Sequence, residues 1–228
     1  MARQPRYRIA DVAQLITQRG NNQQNVFFTE QDYLYYLQAL NDAAIKYKCN
    51  IHAFVLLSNK IHILATPTKL DGISQLMKSV GQRYVSYINK LEKRSGTLWD
   101  GRYKASLVED GDYILDCMHY IDTIPVQLNI VTSPIKYKWS SYYSLNAQGS
   151  NGVVLITPHN SYSEIISWSD KSDKDIQEAY KQIIREQLDK KKLKTIQKAT
   201  NSCIILGSDE FQRKYKKIGS DPKEIKKP

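Results

Sequence analysis

The chain has too few cysteines to be held together by them. Cys49, Cys117 and Cys203 are far apart and odd in number, so neither a disulfide framework nor zinc-type spacing is present, and a reducing cytoplasm is the expected compartment. No apolar run reaches the ~20 residues of a membrane span. The first residues, with Arg3, Arg6 and Arg8 around Pro5, lack the apolar core of a signal peptide. No internal repeat is visible. Carboxylates are scarce: 23 Asp+Glu stand against 33 Lys+Arg, a net charge of +10 with a pI near 9.3. That imbalance favours an anionic partner, of which nucleic acid is the commonest, although a merely basic soluble protein has the same charge.

What the chain does have is enough apolar residues, 41% of 228, for a core in one domain plus an appendage. Residues 12–18 read as a strand, broken by Arg19-Gly20-Asn21-Asn22, where Gly20 can take positive φ. Arg19 and Asn21 read either as a phosphate contact or as an ordinary turn. Thr29 and Asp32 have the spacing of a capping box for a helix to about residue 48. The segment 51–67 (IHAFVLLSNKIHILATP) reads as two strands joined by Ser58-Asn59-Lys60. A second helix is expected over 72–93, capped by Asp71 and carrying Arg83 off its apolar stripe. A strand follows over 103–109, flanked by Arg102 and Lys104. Trp99 reads either as an exposed platform for a base or as a buried loop anchor. A third helix is expected over 110–124, with His119 solvated and Tyr120 at the edge of the apolar stripe.

Strand, helix, strand, strand, helix, strand is the ferredoxin-like βαββαβ order, an α+β fold with a four-stranded antiparallel sheet. Both helices are expected on one face, leaving the other free for a site. Residues two apart in a strand share a face, so Lys60 and His62 point together onto that free face. Beyond Pro125 the chain reads as irregular to about 150, and 146–173 as a linker. A basic helical extension over 174–228 contains helices at 174–193 and about 204–217. It reads either as an accessory DNA contact or as a solvated tail.

Several strings in this order carry a family resemblance. The stretch around Asn59 resembles the Met-Pro-Asn-His-hydrophobe-His-Leu-Leu segment of the IS200-like and REP-associated single-tyrosine HUH transposases. Leu98–Lys104 resembles their Leu-Phe-x-Gly-Arg-Tyr-Lys. Tyr120-Ile121 with Pro125-Val126 resembles Tyr-Ile-x-x-Asn-Pro-Val-Arg, and Pro134, Tyr137 and Trp139–Tyr142 resemble Pro-x-x-Tyr-x-Trp-Ser-Ser-Tyr. The resemblance implies single-stranded or hairpin DNA as partner. It also implies two histidines and a helix-borne Gln or Asn holding Mg²⁺ or Mn²⁺, and a tyrosine that attacks a DNA phosphate to form a 5′-phosphotyrosine. On this chain the nucleophile is Tyr120 and the surviving ligand His62. Lys60 replaces the first motif histidine, and Ile124 stands where the helix ligand belongs. A lysine repels a cation and an isoleucine cannot bind one, so the motif is degenerate. No cofactor is expected, or Mg²⁺ or Mn²⁺ if the site is active, with His62 as metal ligand.

The expected DNA contacts are Arg19, Asn21, Arg83, Trp99, Arg102 and Lys104. No membrane contact is expected, and a homodimer is left open. The first reading is a transposase-family DNA-binding protein in DNA transposition, with tyrosine cleavage impaired. The alternatives are an active transposase with an altered site, and a domesticated non-catalytic DNA- or RNA-binding or interaction module on the same fold.

Overall fold

The computed structural model describes residues 7–146, 156–157, 159, 178, 180–182, 184 and 188–220. Most of the expected linker, and nine of the 20 residues of the expected 174–193 helix, lie outside the described residues. The elements β1 (Ala13–Arg19), α1 (Glu30–Tyr47), β2 (Cys49–Leu57), β3 (Lys60–Pro67), α2 (Gly72–Leu91) and β4 (Lys104–Val108) follow one another as βαββαβ. The strands form one antiparallel sheet in the order β2-β3-β1-β4, the ferredoxin-like arrangement.

α1 starts where its capping box places it. Asp32 Oδ2 accepts from the backbone N–H of Phe28 and of Thr29, each at 2.8 Å, which satisfies donors the helix itself cannot. Its stripe, with Tyr36, Leu37 and Leu40, packs with Val80, Tyr84 and Ile88 of α2 onto Ile16, Phe54, Leu56, Ile61 and Ile63. Each such side chain contributes roughly 1.5–3 kcal/mol by burial. The Tyr84 hydroxyl donates to the Val26 carbonyl at 2.6 Å, so this buried ring leaves no polar atom stranded. Asp71 does flank α2, but its carboxylate makes no cap; it binds Arg8 instead, at 2.7 Å.

The second sheet face is not free. Ala13, Leu15, Ala53, Val55, Leu64 and Val108 make it apolar, and it is covered by α3 (Asp112–Gln127) and by α5 (Lys190–Ser202) of the C-terminal part. α3 lies along β2 and contributes Ile114, Cys117, Met118 and Ile121; α5 contributes Ile196 and Ala199. Because α3 is enclosed on more than one side, His119 is buried rather than solvated. α3 also continues through Pro125 to Gln127, where the proline had been expected to end it.

The outer edge of β2 is closed by the segment around α4 (Ser141–Asn146), in a region expected to be irregular. Leu56 N–H donates to the Trp139 carbonyl (2.9 Å), Phe54 N–H to Ser141 Oγ (2.9 Å), and the Tyr137 hydroxyl to the Leu56 carbonyl (2.7 Å). A bare edge strand is thereby protected. In the tail, the helix expected across 174–193 is interrupted at Leu188 and Asp189. The Asp189 carboxylate accepts from the backbone N–H of Lys191 and Lys192 and starts α5 afresh. α6 (Asp209–Ser220) follows, and its Phe211 and Tyr215 pack with Ile205 against Leu107. α5 and α6 are thus folded onto the sheet. No helix among the described residues is long and apolar enough to cross a membrane.

Candidate functional site

At one end of the second sheet face, strand register brings the expected residues together. Thr17 is paired with His62 on one side and Lys104 on the other, and Arg19 is paired with Lys60. Alternation puts Thr17, Arg19, Lys60, His62 and Lys104 on the face covered by α3 and α5. Tyr120 reaches that face from α3. Its ring meets His62 edge-on, with centroids 5.8 Å apart and planes at 89°.

His62 is 2% exposed and its Nδ1 lies 3.0 Å from Thr17 Oγ1. Burial, with the Lys60 charge nearby, pushes its pKa down to about 3, so the imidazole is neutral at ordinary pH. Tyr120 is 5% exposed. Burial raises its phenol pKa, and a hydrogen bond with the Thr200 side chain of α5 only partly offsets this. α5 makes two further contacts here: its carbonyls at Asn201 and Ala199 accept from Lys104 Nζ (2.6 Å) and Ser106 Oγ (3.0 Å).

Lys60 is half-buried. Its pKa is lowered, first by burial and then by the charges of Arg19 and Lys104. Arg19 is exposed and held by Asp100 through Nε and Nη2, both at 2.6 Å. Gly20, expected at positive φ, has φ −63°; the left-handed positions are Asn22 (φ 51°) and Gln23 (φ 59°). Glycine is needed at 20 for a different reason: a Cβ there would lie 2.1 Å from the Gln24 carbonyl oxygen. Its backbone is wedged between the hairpin turn and the loop before β4. Gly20 N–H donates to Asn59 O (2.8 Å), and Asn21 N–H to Leu98 O (3.0 Å).

Three expected DNA contacts lie elsewhere. Arg83 pairs with Asp42 at 3.0 Å across the α1–α2 layer, away from Lys60 and His62. Trp99 is 4% exposed and packs edge-on to Tyr36, so of its two readings it is the buried anchor. Arg102 is exposed and lines a groove with Trp99, Tyr103, Met77, Val85 and Lys78 between α2 and the loop before β4.

Sequence reasoning missed Asp122, two residues beyond Tyr120. This 1%-exposed carboxylate accepts from Ser141 Oγ (2.6 Å), from Tyr142 N–H (3.2 Å) and from the Tyr180 hydroxyl. It ties α3 both to the segment that closes β2 and to the tail. The signal in the sequence was a lone acid beside the apolar stripe of a helix. Thr17 and Thr200 were also missed, and neither carries a motif.

A three-ligand cation site does not fit these residues. Lys60 carries an ammonium, Ile124 is buried and apolar, and the His62 imidazole is enclosed and faces a hydroxyl. No group of three His, Cys, Asp or Glu side chains able to hold a metal occurs among the described residues.

The fold is similar to that of a solved REP-associated tyrosine transposase bound to a REP hairpin. The two share 16% identity and a TM-score of 0.56, over 76% of this chain and 96% of that one. Residues 13–123 match the model of the family described as "Transposase IS200 like", so that segment of the chain is an IS200-like transposase domain. A candidate transposase from Deinococcus radiodurans is 22% identical over 48% of this chain and 87% of its own, with a TM-score of 0.34. No curated protein matches the sequence.

Proposed function

We propose that this protein is a transposase-family DNA-binding protein of the cytoplasm that takes single-stranded or hairpin DNA and is impaired in strand cleavage. The observation that carries the reading is the pair Lys60–His62 beside Tyr120, where the family's motif would have two histidines. The net charge of +10 and the hairpin bound by the solved relative support DNA as the partner.

Cleavage requires the Tyr120 oxygen to bond to phosphorus as the P–O3′ bond breaks and the 3′ oxygen takes up a proton. The phenol must first lose its own proton. His62 is the adjacent base, yet it titrates near 3 while Tyr120 titrates above its ordinary 10.0. Proton transfer from the phenol to this imidazole is therefore strongly uphill. Among the described residues no group of three or more His, Cys, Asp or Glu side chains could hold a compensating divalent ion, so on this reading binding and cleavage part company.

The test is a covalent-adduct gel with a hairpin oligonucleotide carrying single-stranded flanks, in Mg²⁺ or Mn²⁺, beside a binding titration. Salt-sensitive binding without adduct is expected. Strong adduct formation, abolished by Tyr120→Phe, would overturn the impairment. Preference for RNA of the same sequence would overturn the choice of DNA.

A further inference from the structure

The end of the sheet that would hold a cation in the family is itself cationic. Lys60 projects from β3, Arg19 from the paired position on β1 and Lys104 from β4 beside Thr17, all on one face. Lys60 has no carboxylate partner among the described residues, and the charges acting on it are those of Arg19 and Lys104. A half-buried ammonium pressed by two like charges costs stability unless an anion accompanies it. Asp100 neutralises Arg19 only in part, because the guanidinium keeps donors beyond the Nε and Nη2 it uses there. Lys104 spends one of its three N–H groups on the Asn201 carbonyl. With His62 neutral, Arg19, Lys60 and Lys104 against Asp100 leave a local surplus of two positive charges.

We infer that Arg19, Lys60 and Lys104 form an oxyanion site that holds a DNA phosphate directly, with no divalent ion between protein and phosphate. The ligand class is a phosphodiester of the bound strand, and free inorganic phosphate occupies the same site weakly. Lys60 is the central contact because among the described residues it alone of the three has no hydrogen-bond or ion-pair partner. The inference rests on the DNA-binding reading and adds a location and a metal-independence that the reading does not require.

The experiment uses the full chain and two probes. In the first, the hairpin oligonucleotide is titrated over a range of salt, with EDTA and with Mg²⁺, against wild type, Lys60→Arg and Lys60→Met. EDTA leaves wild-type affinity unchanged. Lys60→Met lowers the slope of log K against log salt by about 0.7, one contact on a single strand. Lys60→Arg keeps the slope. In the second, thermal unfolding is followed in inorganic phosphate and in chloride of matched ionic strength. Phosphate raises the wild-type Tm relative to chloride and does not raise that of Lys60→Met, whose own melting shows that it folds. An unchanged slope in Lys60→Met, equal phosphate stabilisation of both proteins, or loss of wild-type binding in EDTA would each overturn the proposal. Failure of wild type to bind the oligonucleotide at any salt would instead sink the DNA-binding reading, and the phosphate melt would still decide whether the oxyanion site exists.

Discussion

Acidification should destabilise this protein through two buried histidines, by an amount that can be worked out. His62 has its pKa pushed from 6.5 to about 3, chiefly by burial. His52, at the bulge in β2, is pushed to about 4, again chiefly by burial. Its Nδ1–H donates to the Thr157 carbonyl (2.7 Å), which favours the charged form and offsets burial only in part, and its Nε2 lies 2.8 Å from the Thr66 hydroxyl. A histidine with a depressed folded-state pKa gives stability that is present above 6.5 and lost as pH falls toward the folded value. Between pH 6.5 and about 4.5 each histidine therefore removes about 2.7 kcal/mol. Asp122 opposes them. Its pKa is raised from 3.8 to about 6 by burial, so its contribution is lost as pH rises through 6 and is recovered on acidification, about 2 kcal/mol by pH 4.5. The net loss is roughly 3 kcal/mol, a large part of the 5–15 kcal/mol typical of a folded domain. Urea unfolding at pH 7 and 4.5 measures it, on wild type and His62→Gln. The variant should lose about 2.7 kcal/mol less than wild type over this interval. Equal pH dependence in the two proteins would refute the reasoning.

Two other substitutions test neighbouring parts of the structure. Asp122→Asn removes the opposing titration, so the stability difference between variant and wild type should change by roughly 3 kcal/mol between pH 3.8 and pH 7, wild type losing ground as pH rises; a flat difference in urea unfolding counts against the raised pKa. Ile196→Ala in α5 should cost about 2–4 kcal/mol in chemical unfolding, because Ile196 is buried against the second sheet face; a change under 0.5 kcal/mol would mean that the tail does not pack there.

The βαββαβ order was legible because each element had its own local signal: a capping box at Thr29–Asp32, an apolar period of three and four in α2, a turn at Ser58–Lys60. The pairing of Lys60 with His62 followed from strand alternation alone. The covered second face was misread, although the sequence held a warning. Ala53, Val55 and Leu57 are apolar on the very face expected to be open, and a strand apolar on both faces is buried on both. What covers it could not be read locally, since α5 arrives from more than 80 residues beyond β4 in the chain. Trp99, Arg102 and Arg83 were grouped with the site by residue type. Only the packing of α2 and its neighbouring loop sends them to the other side of the sheet.

On the proposed reading, Lys60 in place of a metal ligand bears differently on the binding and the cleavage of DNA. A fixed ammonium about 4 Å from a phosphate oxygen attracts it by about 4 kcal/mol at an effective dielectric constant of 20. It attracts the bound phosphodiester, and the more negatively charged pentacoordinate transition state at least as strongly, so it contributes to affinity whatever it does to the barrier. The barrier is governed by the Tyr120 proton, and the same lysine acts against its removal, because its charge helps to depress the basicity of His62. On the proposed reading, affinity should depend on Lys60 and its neighbours Arg19 and Lys104 and not on the Tyr120 hydroxyl, so that in a binding titration Tyr120→Phe keeps wild-type affinity while Lys60→Met does not.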